Sequence, residues 1–132
     1  MSAVAVAAVS TKARWAGWIM GALPCLMMFF SVAMKVLLPP GVPEHFTHLG
    51  WTLPDVRSLA ILELACTVIY LVPRTAALGA ILLTAYLGGA AAAHVRINDA
   101  GVAAFPIVLG VLLWGGLFLR DPRLRALIPL TR

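Results

Sequence analysis

Charge is what this chain has least of. Asp, Glu, Lys and Arg together make up 11% of its 132 residues, against about 25% in an ordinary soluble domain. With 62% of the residues hydrophobic, a chain this short cannot hide its apolar surface in a water-soluble fold. Apolar/polar alternation is missing too, and Ala and Leu dominate, which excludes membrane strands. Cysteine is scarce. Cys25 and Cys66 are the two present, with no Cys-x-x-Cys, so the paired thiols of a disulfide oxidoreductase are lacking. P-loop, Rossmann, haem-attachment and hydrolase motifs are absent as well. The net charge of +5 invites a nucleic-acid reading. The basic residues, however, lie almost entirely at the ends of apolar segments and in the tails, where they set orientation and meet anionic headgroups. No nucleic-acid partner is expected.

What remains is apolar sequence in four blocks, residues 15–38, 57–72, 75–95 and 102–119. Each approaches the ~20 residues needed to cross a hydrocarbon core, although the second is short. The expected fold is all-α, an integral membrane four-helix bundle forming a single membrane domain over residues 1–132, with the lipid bilayer as its partner. The apolar stretch 1–10 precedes Lys12 and Arg14, the reverse of a signal peptide, so the first span is expected to be retained. Four spans place both termini and the loop between spans two and three on one side. That side carries Lys12, Arg14, Arg74, Arg120, Arg123, Arg125 and Arg132; the other carries Lys35, Arg57 and Arg96. The positive-inside rule makes the first side cytoplasmic.

The connection 39–56 holds Pro39, Pro40, Pro43 and Pro54 with Gly41 and Gly50, which forbids a long helix there. Phe46, Leu49 and Trp51 suggest a segment lying at the interface, with Trp51 as an anchor and Trp15 and Trp18 doing the same on the cytoplasmic side. Pro73-Arg74 makes spans two and three antiparallel neighbours, and Asn98-Asp99-Ala100-Gly101 is the next turn. Asp121-Pro122 opens a basic amphipathic tail suited to the inner leaflet. Pro24 predicts a kink in span one. Gly17 and Gly21, and the run Gly88, Gly89 and Ala90 to Ala93, predict close helix approach, within the bundle or at a homodimer face.

Glu63 is the costly residue. A carboxylate at membrane depth costs roughly 2.5–3.5 kcal/mol on insertion scales, so it needs a partner or a purpose. At about 1.5 Å per residue, Lys35 lies about 4–5 Å and Glu63 about 9 Å below the outer boundary, with His94 within a turn of it. A Lys35–Glu63 pair is therefore within reach, and His94, able to change charge near neutral pH, is the natural third member. Together the three form a candidate ligand-binding site. The bland readings are a snorkelling Lys35 and a charge cluster that only locks the helices in register. Tyr70 and Tyr86 read as packing residues. Cys25 and Cys66 read as small buried residues, and a disulfide between them requires Cα atoms within about 7 Å. His45 and His48 beside Glu44 are too few for a metal site by themselves, and no metal is expected.

Phe29-Phe30-Ser31 with Met34-Lys35, Leu62-Glu63-Leu64, the Tyr70-Leu71-Val72-Pro73-Arg74-Thr75 turn, and the small-residue run from Tyr86 to Ala93 ahead of His94 make the chain resemble the DoxX-like family. These are small four-span bacterial membrane proteins, and the resemblance covers roughly residues 15–119. It implies a compact bundle in a bacterial inner membrane and a tendency toward membrane redox machinery, with Glu63 and His94 matching the family's polar pattern. The leading expectation is an accessory protein that holds a hydrophobic molecule with a polar head, a quinone or a lipid, at an outer-leaflet site of Glu63, His94 and Lys35. Quinone is the one candidate cofactor, none being intrinsic. The rivals are a membrane subunit of a quinone-linked oxidoreductase, which needs a protein partner, and a small proton-coupled transporter with Glu63 as the coupling acid.

Overall fold

The structure, a computed structural model, describes residues 8–127. Most of the N-terminal apolar stretch, and Arg132 of the charge count, lie outside them. Six helices follow one another: α1 Thr11–Leu37, α2 Val42–His48, α3 Leu53–Leu71, α4 Ala76–Arg96, α5 Ala100–Arg120 and α6 Pro122–Leu127. The four long ones form an integral membrane bundle in which α1 packs on α3 and α5, and α4 on the same two.

The ends of these helices are written in the local sequence. Ser10 caps α1, accepting from the Ala13 N–H at 3.2 Å, and Leu38 ends it in a left-handed conformation with its N–H on Met34 O. Thr52 and Asp55 form a reciprocal capping box at the start of α3, with Pro54 in the first turn where its missing N–H costs nothing. That box starts α3 at Leu53, four residues before the start expected at Arg57. The connection 39–56 is correspondingly not all irregular: α2 lies within it, bounded by Gly41 (φ 93°) and Gly50 (φ 88°).

Helices α1, α4 and α5 are long and apolar enough to cross a membrane. The 19 residues of α3 reach about 28 Å at the standard rise but include Asp55, Arg57 and Glu63. On each helix the buried positions follow a three- and four-residue spacing. They include Gly17, Gly21, Pro24, Met28 and Lys35 on α1, and Val56, Ala60, Glu63, Thr67 and Tyr70 on α3. On α4 they include Ala76, Ala80, Leu83, Leu87, Ala91 and His94, and on α5 Ala103, Pro106, Leu109, Leu113 and Arg120. The outward faces are as apolar as the inward ones, with Ile19, Leu26, Ile61, Ile81, Ile107 and Val111 exposed, as lipid contact requires.

Close approach is uneven. A Cβ at Gly17 would sit 2.6 Å from Gly116 O, and one at Gly116 2.7 Å from Gly17 O. The Gly17/Gly21 pair therefore seats α1 on α5 inside the bundle, which takes it out of any homodimer face. Gly79 lets α4 meet the backbone of Tyr70 beyond the Pro73-Arg74 turn. Gly88 and Gly89, by contrast, have nothing near the position of a Cβ. Pro24 is fully buried and α1 runs on through it.

Candidate functional site

The buried stripes of α1, α3 and α4 carry Lys35, Glu63 and His94 toward the same end of the bundle, where α1 and α4 finish and α3 and α5 begin. Lys35 lies only two residues from the end of α1, yet it is 5% exposed, and its Nζ donates to Glu63 Oε2 at 2.7 Å. It does not snorkel. Side chains leave a helix tilted toward its N-terminus, so the Lys35 stem runs down into the bundle while Glu63 leans up from α3 to meet it. Glu63 is 1% exposed.

Two residues missed in the sequence complete the pair. Ser31 accepts a hydrogen bond from Lys35 Nζ and donates to Glu63 Oε2 at 3.2 Å. Its place four residues before Lys35 puts both on one helix face, and that signal was available. Tyr86 was read as packing, but its ring lies 5.9 Å from Lys35 Nζ, with the Phe46 ring at 5.7 Å. These aromatic faces sit where a cation is stabilised by ring electrons.

His94 joins the site at one remove. It is 9% exposed, and its Nδ1 makes no hydrogen bond. The nearest carboxylate is Asp99, 3.7 Å away across the α4–α5 turn, rather than Glu63. The His45 ring from α2 lies 5.6 Å from the His94 ring, tilted by 34°. Burial holds the His45 imidazole below its usual pKa of 6.5, followed by His94 and His48, with Asp99 acting in the opposite sense.

These groups line one cavity of about 680 Å³. Its floor and sides are apolar, with Met27, Met28, Phe30, Leu62, Phe105 and Leu109 among them. Here the small-residue run has its use: Ala85, Gly89, Ala90 and Ala93 all face this space. One face of the run borders this hollow, while Ala91 on another face is buried in the bundle. Helix α2 and its flanks close the polar end, contributing His45, Phe46, Leu49 and Trp51, so Trp51 helps to wall the site. Arg96 ties this segment down by donating to Leu49 O.

The opposite end of the bundle gathers the residues of three further expectations. Arg120 is 9% exposed, with its guanidinium 3.9 Å from the Trp18 ring centroid and 4.9 Å from that of Tyr70. It is a core cation, and Trp18 is its platform. Tyr70 is fully buried and donates to Leu113 O at 2.7 Å. The basic tail folds back: Leu124 is buried, and Arg125 caps the end of α5 by donating to Phe118 O and Leu119 O at 2.7 and 2.8 Å. Cys25 and Cys66 are both free and buried in the core. Among the described residues no group of three or more His, Cys, Asp or Glu is placed to hold a metal ion.

The site can thus offer a buried ion pair, an unpartnered imidazole and an apolar chamber, which suits an amphiphile. Searches of the curated proteins and of the solved structures give no match. A family model does match: residues 19–116 fit the DoxX-like family. That span takes in Lys35, Glu63, Tyr86 and His94, and the chain belongs to the DoxX-like family.

Proposed function

We propose that this protein is an accessory membrane protein that holds a hydrophobic molecule by its polar head, a quinone or a lipid, at Lys35, Glu63 and His94. The observation that carries the reading is the cavity: about 680 Å³ of mostly apolar wall with a buried ion pair and an unpartnered imidazole at one end. Ligand sites have this composition, a largely apolar enclosure with a few placed polar groups. A register lock alone needs the pair and has no need of the hollow beside it. The charge bias of the loops supports an orientation with both termini in the cytoplasm and the polar end of the cavity at the outer leaflet.

The test is thermal unfolding in a nonionic detergent, with and without a decyl-substituted benzoquinone or a short-chain phospholipid. One of these raises the midpoint of the unaltered protein, and Glu63→Gln and His94→Ala each abolish the rise while the bundle still folds. A rise of the same size in both variants would remove the site from these residues. Lower stability in Glu63→Gln with no ligand effect in any version would leave only the lock.

A further inference from the structure

We infer that this site, if it binds as proposed above, selects an electrically neutral head: an uncharged amphiphile that presents a carbonyl or hydroxyl oxygen, and not a phosphate. The inference deepens the preceding reading and rests on it. It comes from the charges around the cavity. Lys35 is the single lysine or arginine in its wall, and its charge is committed to Glu63 at 2.7 Å with both side chains almost wholly buried. An anion entering here would have to draw Lys35 away, leaving Glu63 as an uncompensated buried carboxylate, or sit beside that carboxylate. Asp99, 3.7 Å from His94 Nδ1, lies outside the wall. Arg96, the other nearby cation, is not part of the wall, and its guanidinium is engaged on Leu49 O.

A cationic head fares no better, since it would meet the Lys35 ammonium itself. A neutral oxygen has a place. An ammonium carries three donors, and Ser31 and Glu63 take two of them, so one N–H remains. His94 Nδ1 makes no hydrogen bond, and an imidazole nitrogen is able to bond a polar oxygen. A head with a carbonyl on Lys35 and a second oxygen on His94 would use both without disturbing the ion pair. A quinone or quinol and a diacylglycerol share this chemistry.

The experiment compares three ligands on the unaltered protein in nonionic detergent: decyl-benzoquinone, a short-chain diacylglycerol, and the phosphatidic acid with the same acyl chains. The readout is the rise in unfolding midpoint that His94→Ala removes, together with competition between the ligands. At least one neutral ligand is expected to give a rise of several degrees. Phosphatidic acid gives no His94-dependent rise and does not compete with the neutral ligand, and which neutral ligand responds tells a quinone site from a neutral-lipid site. In Glu63→Gln, where Lys35 loses its counter-charge, phosphatidic acid gains an effect that it lacks on the unaltered protein. Phosphatidic acid matching or displacing the neutral ligands on the unaltered protein would overturn neutrality and leave the binding site standing. No rise with any of the three would overturn both.

Discussion

Lys35 and Glu63 show how far a single residue can be read before its neighbours are known. A buried pair is costly to halve: removing one partner typically costs about 3–5 kcal/mol, because the other charge is stranded, whereas replacing both with apolar groups is often neutral or better. Lys35→Met should therefore lose about 3–5 kcal/mol of unfolding free energy, and Lys35→Met with Glu63→Leu should regain most of it. Denaturant unfolding in detergent measures both, and a double variant no more stable than the single one would refute the coupling. The demand made by Glu63 was legible because an acid inside an apolar run has no cheap alternative. That Lys35 lies within its reach followed from depth, and the structure decides against snorkelling. That it answers by pointing inward follows from the tilt of Cβ along a helix, which the sequence also contains. Arg120 was not legible. As the last residue of an apolar run it has the signature of a headgroup cation, and only the seating of α1 on α5 brings Trp18 and Tyr70 around it.

At the scale of elements, the helices were found by length and composition, and their faces were not. Core and lipid are equally apolar solvents for a side chain, so α3 and α4 carry almost no difference in hydrophobicity from face to face, and amphipathicity, the usual guide, is silent. Glycine distinguishes the faces instead. Gly79→Ala places a methyl against the Tyr70 backbone, which has no rotamer to yield; overpacking of this kind costs about 1–3 kcal/mol. Gly88→Ala meets nothing and should be neutral or gain up to about 1 kcal/mol from helix propensity. Equal unfolding midpoints for the two variants would contradict the packing described. Helix α2 carries a pH prediction of its own. The His45 pKa is lowered when α2 is closed over the cavity, so closure binds a proton less readily than the open segment does. It is unaffected above about 6.5 and weakens as the pH falls below that value. Amide exchange over residues 42–48, corrected for its intrinsic pH dependence, should quicken on mild acidification. His45→Gln should abolish that acceleration, and identical behaviour in both proteins would exclude His45 as its source.

For the molecule as a whole, orientation is open to direct test because both native thiols are buried and form a quiet background. The proposed orientation, with both termini cytoplasmic, predicts that Asn98→Cys reacts with an impermeant maleimide added to intact cells, and Arg74→Cys only after permeabilisation. The opposite pattern would invert the bundle and move the Lys35 end of the cavity to the cytoplasmic leaflet. The unequal make-up of the four long helices has a consequence for how the bundle is made. Helices α1, α4 and α5 can each partition into lipid by themselves, but α3 brings Asp55, Arg57 and Glu63 with it. It is flanked in the chain by the helix that bears its counter-ion and by the helix joined to it through the Pro73-Arg74 turn. Insertion of α3 is therefore expected to depend on its neighbours, with Lys35 of α1 supplying the partner for Glu63. Loss of Lys35 would show itself first during synthesis, as a defect in membrane integration.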